Sequence, residues 1–337
     1  MADRTHISFN ASDRSYFAIL KKEIHKLVAE AGFSEQRTGE ADIIVAEMTS
    51  NLVKHGGGGE ILVRIIDDDD DQAVELISID NGAGMTEPMR MIEDGMSTAN
   101  TLGQGLGAMK RLSDTFQVYS LKGWGTIVLS RVYKKDRPYF KKKKILEKGA
   151  IIVPKHGEQA CGDGVYCEQY DDNITMFLGD GLGHGPDAEL AVQSAIKALR
   201  ASTEKSVPDI LRHMHKDVKK TRGLVGTLAI FDIKEKRWRM CGVGNIATRT
   251  QSVVTKNHIS YNGVIGMNIP TTLNEQILPY EKGQCLIMCS DGIKTRWDFQ
   301  KYTGILKYDL TIAAAAIYKD HCRKTDDTSV LITRINA

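Results

Sequence analysis

The chain has no long apolar run, no CxxC pair and almost no net charge, and each absence removes a class of function. Its most membrane-like stretch, Leu310–Tyr318, is far too short to span a bilayer and reads as a core helix. The N-terminus, MADRTHISFNASDRS, carries no signal-like apolar segment, so a cytoplasmic protein without a membrane anchor is expected. Six cysteines are scattered through the sequence, several of them inside apolar runs. Neither zinc-ligand spacing nor a Cys-x5-Arg pattern occurs, so the cysteines read as reduced core residues and thiol-phosphatase chemistry is excluded. A net charge of +2 over 337 residues offers no footprint for nucleic acid. The one basic stretch, Lys134–Lys148 with its run Lys141–Lys144, lacks stacking residues beyond Tyr139 and Phe140. It reads as a solvated linker or edge strand. No tandem repeat is visible.

What is present is an ordinary globular composition, 26% charged and 42% hydrophobic, in a chain long enough for two domains. The most informative stretch is MFLGDGLGHGP, Met176–Pro186. An apolar run, Ile174–Leu178, reads as a buried strand that delivers Asp180 to its end. Gly181 follows, and without a Cβ its carbonyl can come close to whatever the carboxylate holds. After the Gly183–His184–Gly185 turn, Pro186 opens a helix whose apolar positions run from Ala188 to Leu199. One Asp-Gly is usually a turn, but here the pattern repeats. Asp163 lies in CGDG after Ala150–Val153, Asp291 in SDGI after Cys285–Cys289, and Asp326 and Asp327 precede Ser329–Ile335. Aspartates at several strand ends can converge, and clustered like charges need a counter-ion. All-oxygen ligands point to Mg2+ or Mn2+.

The N-terminal part begins with a helix capped by Ser12 and stopped by Gly32, then a second helix over Glu35–Lys54. Glu47 and Asn51 share a face of that helix. Strands Ile61–Ile66 and Val74–Asp80 follow, joined by the acidic turn Asp67–Asp71, which reads as a solvated hairpin tip. Asp80 opens DNGAGM, again with close glycines, Gly82 and Gly84. A short helix and the polar loop Gly95–Leu102 lead to Gly103–Gly107 (GQGLG), which opens a helix Gln104–Leu112. Bare amides and the positive helix end suit such a loop to phosphates. A hairpin, Phe116–Leu121 and Thr126–Val132, closes this part. Beyond the basic stretch the chain alternates strands and turns: Val165–Gln169, Ile174–Leu178, Leu228–Ile233, Arg237–Gly242, Ala247–Gln251 and Cys285–Cys289. Later helices lie near Val207–Lys219 and Leu310–His321.

In this order the N-terminal motifs resemble the GHKL ATP-binding superfamily of gyrases, histidine kinases and anti-sigma kinases. Glu47–Asn51–Lys54 is similar to its N box, and Asp80–Gly82–Gly84 to its first glycine box. Gly103–Gly105–Gly107 is similar to the second box and Gly125–Thr126 to the third. The wording EDGMSTANTLGQGLGAMKRLSD is most similar to the serine kinases of bacterial stress-response switch modules. The resemblance implies that Asn51 holds Mg2+, Asp80 reads the adenine amino group, and the second glycine box cradles the phosphates of ATP. Glu47 then becomes the candidate general base. The C-terminal part resembles the sporulation-protein-E branch of metal-dependent serine/threonine phosphatases, through CGDG, DGLGHGPDA, GLVGT, GVGN, SDGI and DDTSVL. That likeness implies metal binding by Asp163, Asp180, Asp291 and Asp326, and by the carbonyl of Gly181. Many members carry a further aspartate where this chain has Tyr166, which leaves the number of metals open. His184 reads as a turn-stabilising residue rather than a proton carrier.

The expected fold is therefore α/β (α+β): a GHKL α/β sandwich over residues 1–133, a basic linker over 134–149, and a helix-flanked phosphatase β-sandwich over 150–337. Two divalent cations in the acidic hollow would acidify water for in-line attack on phosphorus. The expected function is a bifunctional switch protein, part serine/threonine kinase and part phosphatase. Its expected partner is an anti-sigma antagonist-like phosphoprotein or another small regulatory protein, with homodimerisation compatible. Two alternatives stand beside it: a phosphatase gated by a non-catalytic nucleotide sensor, and a binding protein that sequesters a sigma factor or antagonist.

Overall fold

The computed structural model describes residues 5–68, 71–88, 102–135, 144–252 and 254–336. The chain divides into two compact units. The N-terminal unit comprises His6–Lys141 together with Gly304–Ala315, and the C-terminal unit is built mainly from Lys142–Thr303 and Ala316–Ala337.

In the N-terminal unit, strands β1 (Ile7–Asn10), β2 (Glu60–Asp68), β3 (Asp71–Ile79), β4 (Thr115–Leu121) and β5 (Gly125–Tyr133) form an antiparallel sheet in the order β1-β2-β3-β5-β4. Helices α1 (Phe17–Glu30), α2 (Glu35–His55) and α3 (Leu102–Leu112) supply the apolar stripes of its core. Leu20, Ile24 and Val28 bury one stripe of α1, the spacing that brings i and i+4 together. On α2 the stripe is Ala41, Ile44, Val45, Met48 and Leu52, and they meet Ile61, Val63, Val74, Leu76 and Val128 of the sheet.

Ser34 caps α2, accepting a hydrogen bond from the Arg37 amide at 3.2 Å. The expected Ser12 cap of α1 is not made. A 3-10 turn, Arg14–Tyr16, precedes the helix, and its N-cap Tyr16 makes no side-chain bond. Asp13 opens that turn, its carboxylate accepting from the Ser15 amide at 2.9 Å, a stronger acceptor than a hydroxyl. Of the acidic hairpin, strand pairing continues to Asp68 opposite Asp71. The tip, the short helix expected after Asp80 and most of the Gly95–Leu102 loop lie outside the described residues.

The C-terminal unit is a sandwich of two five-stranded antiparallel sheets. One has the order β13-β10-β9-β8-β7, from β7 (Asp163–Tyr170), β8 (Asn173–Gly181), β9 (Leu224–Asp232), β10 (Arg237–Val243) and β13 (Gln276–Pro279). The other has the order β12-β11-β14-β15-β6, from β6 (Leu146–Val153), β11 (Ala247–Gln251), β12 (Thr255–His258), β14 (Cys285–Cys289) and β15 (Thr328–Ile335). Strand β6 absorbs the end of the basic stretch as an edge strand, and residues 136–143 lie outside the described set.

Strand alternation explains the layers. On β8, Ile174, Met176 and Leu178 point between the sheets, where they meet Ile152, Trp238, Leu286 and Met288. The opposite-facing Phe177 packs with Val192, Ile196, Leu211 and Met214 of α4 (Pro186–Ala201) and α5 (Val207–Asp217). Helix α6 (Leu310–His321) is the last among the described residues. The six cysteines are free thiols, five of them buried, and burial pushes Cys285 up to about 11. No helix among the described residues is long and apolar enough to cross a membrane.

Candidate functional site

In the N-terminal unit, Glu47 and Asn51 stand half-buried on the stripe of α2 that the core does not use. The start of α3 closes on them. A Cβ added to Gly105 would lie 2.5 Å from Glu47 Oε2 and 3.7 Å from Asn51 Oδ1, so a side chain there would push the Glu47 carboxylate aside. The helix starts earlier than expected, which places Gly103, Gly105 and Gly107 within its first turns. Lys54 is exposed, one turn beyond Asn51.

Asp80 follows β3, and its Oδ1 accepts from the amides of Gly82 at 2.8 Å and Thr126 at 3.1 Å. Its own amide donates to the Thr126 carbonyl at 3.0 Å. The loop after it is wedged in place: a Cβ on Gly82 would come within 2.4 Å of the His55 carbonyl, and one on Gly84 within 1.9 Å of the Leu121 carbonyl. Thus α2, the loop after β3, the start of β5 and the start of α3 bring the four expected boxes to one end of the unit.

In the C-terminal unit, Asp163 at the head of β7 is the Cα partner of Asp180 at the end of β8. Both continue the alternation that faces the sandwich interior. Ser290, after β14 in the opposite sheet, donates to Asp163 Oδ2 at 2.6 Å and accepts from the Ser329 amide at 2.9 Å. The other oxygen, Asp163 Oδ1, is buried with no hydrogen-bond partner. Burial pushes the Asp163 carboxyl up to about 7, against the lowering effect of the Ser290 and Ser329 side chains and with the help of Asp327 and Asp291. Burial and then Asp163, Asp291, Asp326 and Asp327 push Asp180 up to about 9.

The four aspartates thus share one field, although they come from four strand ends in two sheets. An orphaned buried carboxylate oxygen amid like charges fits a hard divalent cation. Among the described residues, no group of three or more His, Cys, Asp or Glu is placed so that it could hold a metal ion, so the expected ligands share a field without forming a coordination shell.

Several residues unassigned by sequence reasoning hold this arrangement. Asn245, in the GVGN motif, donates to Asp291 Oδ2 at 3.0 Å. Asp327 accepts from the amides of Lys155 at 2.8 Å and Gly162 at 2.9 Å, which makes it a stitch in the loop before β7. The Gly181 amide donates to the Gly162 carbonyl at 2.9 Å, and a Cβ there would fall 2.4 Å from the Ala188 carbonyl. Tyr166 packs in the helix-facing core and donates to Glu168 at 3.1 Å. His184 pairs with Glu158 at 2.8 Å, the turn-stabilising contact expected.

Comparison with known proteins agrees with both halves. Residues 10–131 match the histidine kinase-like ATPase domain, and residues 170–336 match stage II sporulation protein E (SpoIIE). The serine/threonine-protein kinase RsbT of Bacillus subtilis (strain 168) is 32% identical over 97 residues, 29% of this chain and 73% of RsbT. Phosphoserine phosphatase RsbX of the same organism is 25% identical over 142 residues, 41% of this chain and 70% of RsbX. A solved structure described under the bacterial stressosome, a modular system adapted to control secondary messenger signalling, superposes with a TM-score of 0.54 at 28% identity. It covers 57% of this chain and 100% of its own. RsbX in complex with magnesium superposes with a TM-score of 0.51 at 18% identity, over 58% of this chain and 98% of its own, a likeness of fold.

Proposed function

Because the chain belongs to the histidine kinase-like ATPase domain family over residues 10–131 and continues as a SpoIIE-type phosphatase domain over residues 170–336, we propose that it both adds and removes phosphate on a serine or threonine of a small regulatory protein. The partner in this reading is an anti-sigma antagonist-like phosphoprotein of a partner-switching pathway. The observation that carries the phosphatase half is Asp163 facing Asp180 with a buried oxygen unsatisfied.

Asp163, Asp180, Asp291, Asp326 and the Gly181 carbonyl would hold the cation. Bound there, Mg2+ or Mn2+ supplies the positive charge that acidifies water and neutralises phosphoryl oxygens. The chain's own work is positioning. Ser290 fixes Asp163, Asn245 turns Asp291, and Asp327 ties the loop before β7, so the carboxylates do not reorganise during reaction. In the kinase half, Asn51 would hold Mg2+, Asp80 with Thr126 would frame the adenine end, and the glycine-box amides of Gly103, Gly105 and Gly107 would meet the phosphates of ATP. Lys54, at the open end of α2, adds positive charge. Glu47 accepts the proton of the acceptor hydroxyl. Its place beside Asn51 and Gly105 supports that role.

The test uses the full chain, a phosphoserine protein substrate and added Mn2+, with Asp163→Asn as control. Metal-dependent release of phosphate by the parent and its loss in the variant are expected; no release from the parent removes the phosphatase reading. Transfer of labelled γ-phosphate is then measured in Asp180→Ala, where removal is blocked. An unlabelled partner under saturating ATP replaces the kinase half with a nucleotide sensor.

A further inference from the structure

Arg222 stands just before Gly223 at the head of β9. The Leu182 amide donates to the Gly223 carbonyl at 3.1 Å, which lays the arginine across the turn that follows Gly181. A Cβ on Gly183, which has φ +83°, would lie 3.1 Å from Arg222 Nη1. Arg222 Nη2 pairs with Asp187 Oδ2 at 2.9 Å, with side chains 51% and 66% exposed.

Beside burial, the carboxylates of Asp163, Asp291, Asp326 and Asp327 raise Asp180. Arg222 brings a guanidinium to the turn that follows Asp180 and Gly181, held by an ion pair that exposure and salt make weak. The Asp187 carboxylate marks where an oxyanion sits against this fork. A phosphoryl group offers more oxygens in the same geometry, and arginine binds it bidentately.

We propose that Arg222 recognises the phosphoryl group of the substrate, and that Asp187 is the intramolecular anion that the phosphate displaces. The inference rests on the phosphatase reading and adds to it a specificity residue and a competitor with opposite effects.

Opposite effects make the test sharp. Inorganic phosphate binding to the full chain with Mn2+ is measured by titration calorimetry, alongside KM and kcat for a phosphoserine peptide. Arg222→Ala should weaken phosphate binding and raise KM about tenfold, the loss of one charged hydrogen-bonding group, with kcat little changed. Arg222→Lys should recover part of the loss. Asp187→Asn should tighten phosphate binding and lower KM about two- to threefold by removing the competitor. A merely structural pair predicts that breaking it from either side does the same thing. Shifts in the same direction for Arg222→Ala and Asp187→Asn, or phosphate binding unchanged in Arg222→Ala, would overturn the proposal. A parent chain that binds phosphate through Arg222 yet hydrolyses nothing sinks the phosphatase reading and leaves this one standing.

Discussion

Asp163 and Asp180 face each other as paired positions on β7 and β8, one buried and one half-buried, and burial with the carboxylates of Asp291 and Asp327 raises both. Both are raised above the ordinary 3.8, to about 7 and about 9. Below 3.8 the folded and unfolded chains are protonated alike. Above it the unfolded chain ionises while the fold resists, so metal-free stability declines as pH rises toward the folded values. A cation that replaces the protons reverses the decline. The melting-temperature gain on adding Mg2+ should therefore be larger at about pH 8 than at about pH 5. Asp180→Asn should lower phosphate release by about 10^2–10^3-fold while raising the metal-free melting temperature. An equal Mg2+ gain at both pH values would remove the cation from this hollow.

Glu47 and Gly105 give the kinase half its own test. Glu47→Gln keeps the shape of the side chain and removes its basicity, so labelled phosphotransfer should fall by about 10^2–10^4-fold with ATP binding preserved. Gly105→Ala puts a methyl 2.5 Å from the Glu47 carboxylate and should weaken nucleotide binding as well. Transfer retained in Glu47→Gln would show that another group accepts the proton.

How far the sequence could be read depends on how local each signal is. Strand ends carrying Asp-Gly, the Gly32 stop after α1 and the helix-opening Pro186 are written in consecutive residues, and they predict the elements that carry the site. The supports of the site are not. Ser290 bonds Asp163 across the sandwich, and Asn245 reaches Asp291 from another strand end. Neither spacing has a local signature, although Ser290 sits beside Asp291 and Asn245 lies in a motif already noticed. The expected Ser12 cap is not made, and a turn opened by Asp13, a stronger acceptor next door, stands there. Least legible is the grouping of Gly304–Ala315 with residues from the start of the chain, because nothing in an apolar helix names its neighbours.

That grouping is anchored by charge. Glu75 accepts from Arg64 Nε at 2.8 Å and Arg131 Nε at 2.7 Å, and Arg131 in turn donates to Asp309 at 2.6 and 3.1 Å and to Thr311 at 2.9 Å. Burial alone would raise the Glu75 carboxyl, but Arg64, Arg131 and His6 hold it well below the ordinary 4.5. A depressed acid contributes stability that is present above its unfolded pKa and lost as pH falls through the folded one. Glu75→Gln should cost about 3–5 kcal/mol, the penalty for stranding buried partners. It should also flatten the acid limb of the stability curve. A fragment ending at residue 135 loses the Asp309 and Thr311 contacts and should melt below the full chain; equal melting would make the segment dispensable to this unit.

Asp326 and Asp327 are neighbours with separable duties. Asp327 is buried and accepts two backbone amides, from Lys155 and Gly162, while Asp326 is half-buried and contributes to the field that raises Asp180. Removing Asp327 leaves two amides unpaired, each bond to a charged group being worth about 1.5–3 kcal/mol. Asp327→Ala should therefore lower stability and loosen the loop before β7, seen as faster hydrogen exchange at Gly162. Asp326→Ala should leave the melting temperature near the parent's or above it, since a like charge is removed, yet weaken Mn2+ binding by about tenfold or more. If Asp327→Ala instead keeps its stability and loses the metal, the roles of the two residues are reversed and the hollow is lined by Asp327.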